Sequence, residues 1–310
     1  MLASPRRLEG GSVVKELRFA LLVVENNDYQ AQQVIAAQAA ALRLSVQLEV
    51  IHTEHDSLMQ SRRVLDLIQA PAGQRPDAIF FEPVGTALAQ PARAAAAAGV
   101  GWVVLNRENV EYFADVRQKF PTPVFSVTTS HTEVGQIQGQ QIARLLPNGG
   151  AVLYIEGPSD NEASVRRTEG LERAKPHNVE VRILRGRWTG ESAYNAVTSY
   201  LKLTIAKEVR IGVVAAQNDA MALGARRAFE DMDSGRDRWL KLPFIGCDGL
   251  PKSGQMAVRN GSLAATVVIP PNAGEAVELM ASALRTGKQA AETFFTKPSS
   301  FPPLGSLKPR

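Results

Sequence analysis

AAQNDAMALGARRAF, Ala215 to Phe229, is the stretch that decides the reading of this chain. An apolar run, Ile211 to Ala216, reaches a polar trio, Gln217-Asn218-Asp219, and then a helical pattern rich in Ala, Met and Leu. Strand, polar turn and helix in that order put polar side chains at the carboxyl end of a buried strand, where open α/β sheets bind ligands. Asn218 brings both donors and an acceptor, whereas an ionised Asp219 only accepts. Such groups suit a polyhydroxylated small molecule. Asp219 is assigned to capping its own helix.

Similar junctions recur outward from this one. Upstream, FALLVV (19–24), SVQLEVI (45–51), AIFF (78–81) and WVVL (102–105) read as strands. Helical patterns lie between them at Gln30 to Leu44, Ser57 to Gln69 and Thr86 to Ala98. The alternation pauses at Phe120-Pro121-Thr122-Pro123 and restarts with VFSV (124–127) and a helix over Glu133 to Leu146. AVLYI (151–155), VEVRIL (179–184), RIGVVA (210–215), PFIGC (243–247) and LAATVVI (263–269) follow, each leading into a helical pattern. Short strands alternating with helices predict βαβ units, parallel sheets and helices on both faces. Two successive halves of one plan predict two lobes with a cleft between them. Residues 1–17 read as a polar tail, and the prolines of FPPLGSLKPR exclude a helix at the carboxyl end.

Composition narrows the function classes. The chain has 310 residues, 45% of them apolar and 21% charged, with a net charge of +4. Its charges are mixed, without a basic block, so no nucleic-acid binding through this chain is expected. The single cysteine, Cys247, excludes an intramolecular disulfide and any CxxC metal pair. No apolar run reaches the ~18 residues of a transmembrane helix, so no membrane insertion is expected. There is no GxGxxG after a strand, no Walker loop, no GxSxG elbow and no HExxH frame around His52 and His55. No cofactor, metal site or catalytic residue is assigned, and the chain is not read as an enzyme.

QNDAMALGA (217–225), IGCDGLPKSG (245–254) and NGSLAATV (260–267), together with NNDY (26–29), Asn106-Arg107 and RRTEGL (166–171), carry a resemblance. In their order and spacing they resemble the periplasmic sugar-binding proteins of the ribose-binding type and the related ligand-sensing domains of lactose-repressor-family regulators, from about Leu17 to Gly287. The resemblance implies the periplasmic binding protein type I fold: α/β, with two flavodoxin-like, Rossmann-like lobes of parallel sheet joined by a three-segment hinge. The lobes are expected at 18–130 plus 270–295 and at 131–269 plus 296–310, after the 1–17 tail.

The same resemblance implies a ligand set. Asn27 grips a hydroxyl, and Tyr29 covers one ring face. Glu82, after the third strand, accepts from hydroxyls. Asn106 and Arg107 stand where the family has Asp-Arg. Arg167, by its spacing to Gly170, is the ligand-binding arginine, and Arg166 is left to solvent. Trp188 covers the opposite ring face; Asn218 and Asp248 hold hydroxyls. Ile269 replaces a polar Gln of ribose-binding relatives, and His131 replaces an acidic residue, read as a cap or hinge. Asp248→Ala and Asn218→Ala are each expected to weaken binding with little loss of fold.

Two functions follow. The first is a monomeric solute-binding protein that captures a monosaccharide or polyol for an ABC-type importer and its permease subunits. Gly249 after Asp248 fits this transport branch. It places the protein in the periplasm, with the leader absent from this sequence. The second is a cytoplasmic sugar-sensing effector domain of a regulator. Arg6 and Arg7 are too few to make a DNA-binding headpiece.

Overall fold

The computed structural model describes residues 16–24, 27–54, 56–85, 88–203 and 209–309. Arg6, Arg7, nearly all of the tail, Asn26 and His55 lie outside them. The chain divides into two compact units. The first takes residues up to Leu105, Val110–Ser126 and Ala273–Thr293. The second takes Asn106–Asn109, Val127–Asn272 and the chain from Phe294 onward. Asn106 and Arg107 thus group with the second unit.

In chain order the first sheet receives β1 (Leu17–Val23), α1 (Asp28–Leu44), β2 (Val46–His52), α2 (Ser57–Gln69), β3 (Ala78–Phe81), α3 (Ala89–Ala97), β4 (Gly101–Leu105), α4 (Phe113–Lys119) and β5 (Val124–Thr129). Then come α5 (His131–Leu145), β6 (Gly150–Glu156), α6 (Glu162–Ala174), β7 (Val179–Arg185), α7 (Gly190–Leu201), β8 (Ile211–Ala216), α8 (Asp219–Glu230), α9 (Arg236–Leu240), β9 (Phe244–Asp248), α10 (Gly254–Arg259) and β10 (Ala265–Val268). The chain finishes with α11 (Ala273–Thr286), β11 (Thr293–Thr296), β12 (Ser299–Phe301) and a 3₁₀ turn at Leu304–Ser306.

Sheet order is β11-β5-β4-β3-β1-β2 in one sheet and β12-β10-β9-β8-β6-β7 in the other. β1 pairs in parallel with both β2 and β3, and β6 with both β7 and β8. Strand order therefore reverses between β1 and β3 and between β6 and β8. These are the two switch points, and doubly wound sheets bind ligands beyond the strand ends there. β12 is antiparallel to β10.

The strands are apolar because helices cover both faces. Phe81 meets Trp102 edge-on at 4.7 Å in the first core, and Trp102 Nε1 donates to the Tyr112 hydroxyl at 3.1 Å. Phe229 stacks on Trp239 at 4.6 Å in the second. Two helix pairs of the second unit touch backbone to backbone. A Cβ on Gly135 would lie 2.0 Å from the Arg167 carbonyl oxygen, and one on Gly170 would lie 2.1 Å from that of Thr132. A Cβ on Gly224 would likewise meet the Gly190 carbonyl at 2.0 Å. α5 against α6 and α7 against α8 are fixed in this way.

Several expectations change. The pause at Phe120–Pro123 is the loop from α4 to β5 inside the first sheet, not a break between halves. α4 is a helix the sequence does not announce: its seven residues are too short for a clear helical period, and Phe113 and Val116 are its buried anchors. The helix after β8 begins at Asp219, and Asn218 is its cap.

Candidate functional site

The first unit gathers polar groups at its switch point. Asn27 has extended backbone and caps α1, its Oδ1 accepting from the Gln30 N–H at 2.9 Å. Gln30 is 7% exposed, and its Nε2 donates to Glu82 Oε2 at 2.7 Å. Gln60, fully buried on α2, donates from Nε2 to the Glu82 carbonyl at 2.7 Å and accepts the Val84 N–H at 2.9 Å. Glu82 is thus held by its backbone and by its side chain. Tyr29, half-buried, sits in the first turn of α1 between Asn27 and Gln30.

The second unit holds a denser cluster. Arg167 lies on α6 and is 7% exposed. Its Nη1 donates to the Gln217 carbonyl at 2.5 Å, and its guanidinium carbon stands 5.5 Å from the centre of the Trp188 ring. Its Nε is buried without a hydrogen-bond partner among the described residues. Arg166, its neighbour, faces outward to Glu162 and Glu169. The α5–α6 backbone contact at Gly135 fixes the carbonyl of Arg167 itself.

Trp188 adopts φ +64, a conformation side chains rarely take, and its ring covers Gly157 so closely that a Cβ there would lie 2.5 Å from it. Asn218 stabilises this turn. Its Nδ2 donates to the Trp188 carbonyl at 2.8 Å, and its Oδ1 accepts the Met221 N–H at 2.8 Å. Gln217 ties the floor together: Oε1 accepts from Gly157 N–H at 2.8 Å, and Nε2 donates to the Ser164 carbonyl at 2.8 Å and to Thr168 Oγ1 at 3.0 Å. Thr168 donates to Glu156, whose other oxygen pairs with Arg185.

Asp248 ends β9, half-buried, with φ +97. Behind it lies Asp219, 3% exposed. Its Oδ2 accepts the Gly249 N–H at 2.8 Å and its Oδ1 accepts the Thr266 hydroxyl at 2.6 Å. Burial and then the Asp248 charge push the Asp219 carboxyl well above the usual carboxylate range. The expected capping role of Asp219 is therefore corrected: its carboxylate points inward to the β9 turn, and Asn218 has the extended backbone a cap needs. Asn218 is 9% exposed with donor and acceptor engaged, so the expectation that its removal spares the fold is corrected as well.

Asn106, at φ +58, accepts from the Asn272 amide, whose own oxygen accepts the Thr296 hydroxyl at 3.0 Å. Arg107 follows, half-buried. His131 is not a cap. Ser130 caps α5, and His131 is the first helical residue, 4% exposed, its peptide N–H donating to Glu108 Oε1 at 2.7 Å. Burial, reinforced by the positive charges of Arg167 and Arg107, holds its imidazole down to about 3.

Arg167, Trp188 and Asn218 are therefore joined directly, Asp248 stands over Asp219, and Asn27 is linked to Glu82 through Gln30. Ile269 is buried beyond β10. Gln60, Thr168, the bond from Gln30 to Glu82 and the inward role of Asp219 are not legible in the sequence. Only Gln217 carried a signal, as part of the trio after β8. Among the described residues no group of three His, Cys, Asp or Glu side chains is placed to hold a metal, and no helix is long and apolar enough to cross a membrane.

A family model described as a periplasmic binding protein domain matches residues 19–289. The ribose import binding protein RbsB of Haemophilus influenzae is 26% identical over 240 residues, 76% of this chain and 73% of that protein. An ABC transporter periplasmic solute binding protein from Actinobacillus succinogenes, with bound D-allose, has the same fold: TM-score 0.78 at 22% identity, covering 92% of this chain and 97% of that one. So does an ABC transporter solute binding protein from Bacillus halodurans with bound myo-inositol, with TM-score 0.75 at 20% identity over 94% and 96% of the two chains.

Proposed function

Because the chain belongs to the periplasmic binding protein domain family, we propose that it captures a monosaccharide or polyol reversibly and presents it to the permease of an ABC-type importer. The observation that carries this reading is the Arg167–Trp188–Asn218 cluster at the second switch point. There the Arg167 guanidinium, an aromatic face and the Asp248 carboxylate stand at the carboxyl ends of neighbouring strands. An aromatic face packs against the C–H face of a sugar ring, while guanidinium donors and carboxylate acceptors take its hydroxyls. The names of its relatives, which include ribose import, bound allose and bound inositol, support import over intracellular sensing.

The ligand set is Asn27, Tyr29 and Glu82 of the first unit with Asn106, Arg107, Arg167, Trp188, Asn218 and Asp248 of the second. Asn218 serves both as cap and as part of this surface. Glu82, held by Gln30, and Asp248 accept hydroxyl protons, while Arg107 and Arg167 donate to ring and hydroxyl oxygens. No covalent step is involved, the working form is a monomer, and the working compartment is the periplasm.

A thermal-shift screen against pentoses, hexoses, their alcohols and inositols tests the reading. A ligand that binds only the folded state raises the melting temperature by mass action. One neutral sugar or polyol should do so and be recovered unchanged after incubation. A shift confined to phosphorylated sugars would favour an intracellular sensor, and turnover would point to an enzyme.

A further inference from the structure

The turn that carries Asp248 takes positive φ at two successive residues, and the strain falls on the non-glycine one. Asp248 has φ +97 and Gly249 has φ +58. A non-glycine residue at positive φ costs on the order of 1–3 kcal/mol and persists only where its surroundings determine it. The surroundings here converge on one side chain. The Gly249 N–H is held by Asp219 Oδ2 at 2.8 Å, and the other oxygen of that carboxyl is held by Thr266 of the neighbouring strand at 2.6 Å. Space is left for nothing else. A Cβ on Gly246 would meet Asp219 Oδ1 at 2.3 Å, and one on Gly254 would meet Oδ2 at 1.9 Å. The carboxyl is thus enclosed by β9, β10 and the start of α10.

We propose that Asp219 is a positioning residue for ligand binding: by pinning Gly249 it holds Asp248 in the left-handed conformation that presents its carboxylate to the ligand. This rests on the reading of Asp248 as a sugar contact. The bond to Gly249 fixes the peptide that follows Asp248, so the carboxylate cannot relax to an ordinary strand conformation. The enclosure also explains why a buried acid stands where an apolar residue would pack more cheaply. Asp219 shares its neighbourhood with a second carboxylate, and burial with the Asp248 charge favours its protonated form.

Four variants test the proposal: Asp219→Asn, Asp219→Ala, Asp248→Ala and the double variant Asp219→Ala/Asp248→Ala. Affinity is read by titration with D-ribose, D-allose and myo-inositol, and the turn by NMR hydrogen exchange at the Gly249 amide. Asp219→Asn keeps an acceptor for Gly249 and should retain affinity within about threefold with a protected amide. Asp219→Ala should lose at least tenfold in affinity and unprotect Gly249. Should that variant fail to fold, Thr266→Val replaces it; freeing one carboxyl oxygen loosens the pin, so Gly249 exchange should quicken and affinity fall severalfold. In the Asp248→Ala background the Asp219→Ala loss should vanish, since a residue acting through another shows strong coupling in a double-mutant cycle. Additive losses, or a Gly249 amide equally protected in wild type and Asp219→Ala, would overturn the positioning role. Unchanged affinity in Asp248→Ala would instead overturn the sugar contact while the exchange rates still judge the pin. Binding of none of the probes would count against the sugar reading itself.

Discussion

At the scale of single residues, the site is built from groups that serve the fold and the surface at once. Asn218→Ala removes a helix cap and the bond to the Trp188 carbonyl, and should cost about 1–2 kcal/mol of stability besides any loss of affinity. That is roughly 2–4 °C per kcal/mol in a melt of a protein this size, read by calorimetry. A melt identical to wild type would contradict the cap. His131 offers a prediction in pH. Its imidazole, pressed down to about 3 by burial and by Arg167 and Arg107, stays neutral in the fold while the unfolded form protonates near 6.5. Between those values the unfolded chain binds more protons, so stability is full above about 6.5 and is lost as pH falls toward about 3. The slope is at most about 1.4 kcal/mol per pH unit. Asp219 works oppositely: its raised carboxyl contributes stability below about 3.9 that is lost as pH rises through its folded value. Urea midpoints at pH 7, 5.5 and 4.5 should therefore fall less in His131→Gln than in wild type. Parallel declines would mean that His131 is not the group responsible.

At the scale of elements, the most demanding contacts are those where helices meet through glycine. Gly135→Ala forces a methyl group against the Arg167 carbonyl and should cost about 1–3 kcal/mol or more. Because that carbonyl belongs to the cluster, the variant should also weaken binding of any sugar identified in the screen. A stable variant with unchanged affinity would show that α5 and α6 separate without moving Arg167. Legibility in the sequence divides along the same line. β3 and α2 are legible to their observed limits because an apolar run and a regular helical period each leave a local signature. β11 and β12 are not legible, since TFFT and SSF are short and take their character from partners far away in the chain. The spacing that singles out Arg167 runs to Gly170, the glycine where α6 touches α5. The Gln30–Glu82 bond spans 52 residues, and no local pattern announces it.

At the scale of the whole molecule, two compact units lie in one chain, and the lone cysteine reports on one of them. Cys247 is fully buried in β9, and burial pushes its thiol up, so it is both hidden and protonated. It should resist a thiol reagent in native protein and react when the second unit opens in urea. Saturating sugar should slow that reaction by the factor set by its concentration over its dissociation constant. Labelling at the native rate of an exposed thiol would contradict the burial of β9.

The interrupted first unit has a consequence for how the protein is made. α11 docks on α1, with the Ala273 N–H donating to Gln33 Oε1 at 2.8 Å and Gly274 close against the Ala36 carbonyl. The partners of that contact are 240 residues apart. During synthesis the first strands and helices emerge early, yet the helix that covers α1 emerges only after five of the six strands of the second sheet. At ~5–20 residues per second the wait is on the order of ten seconds or more. For that time the ribosome carries a half-closed sheet with an apolar flank open to the cell, a period in which a chaperone has something to hold.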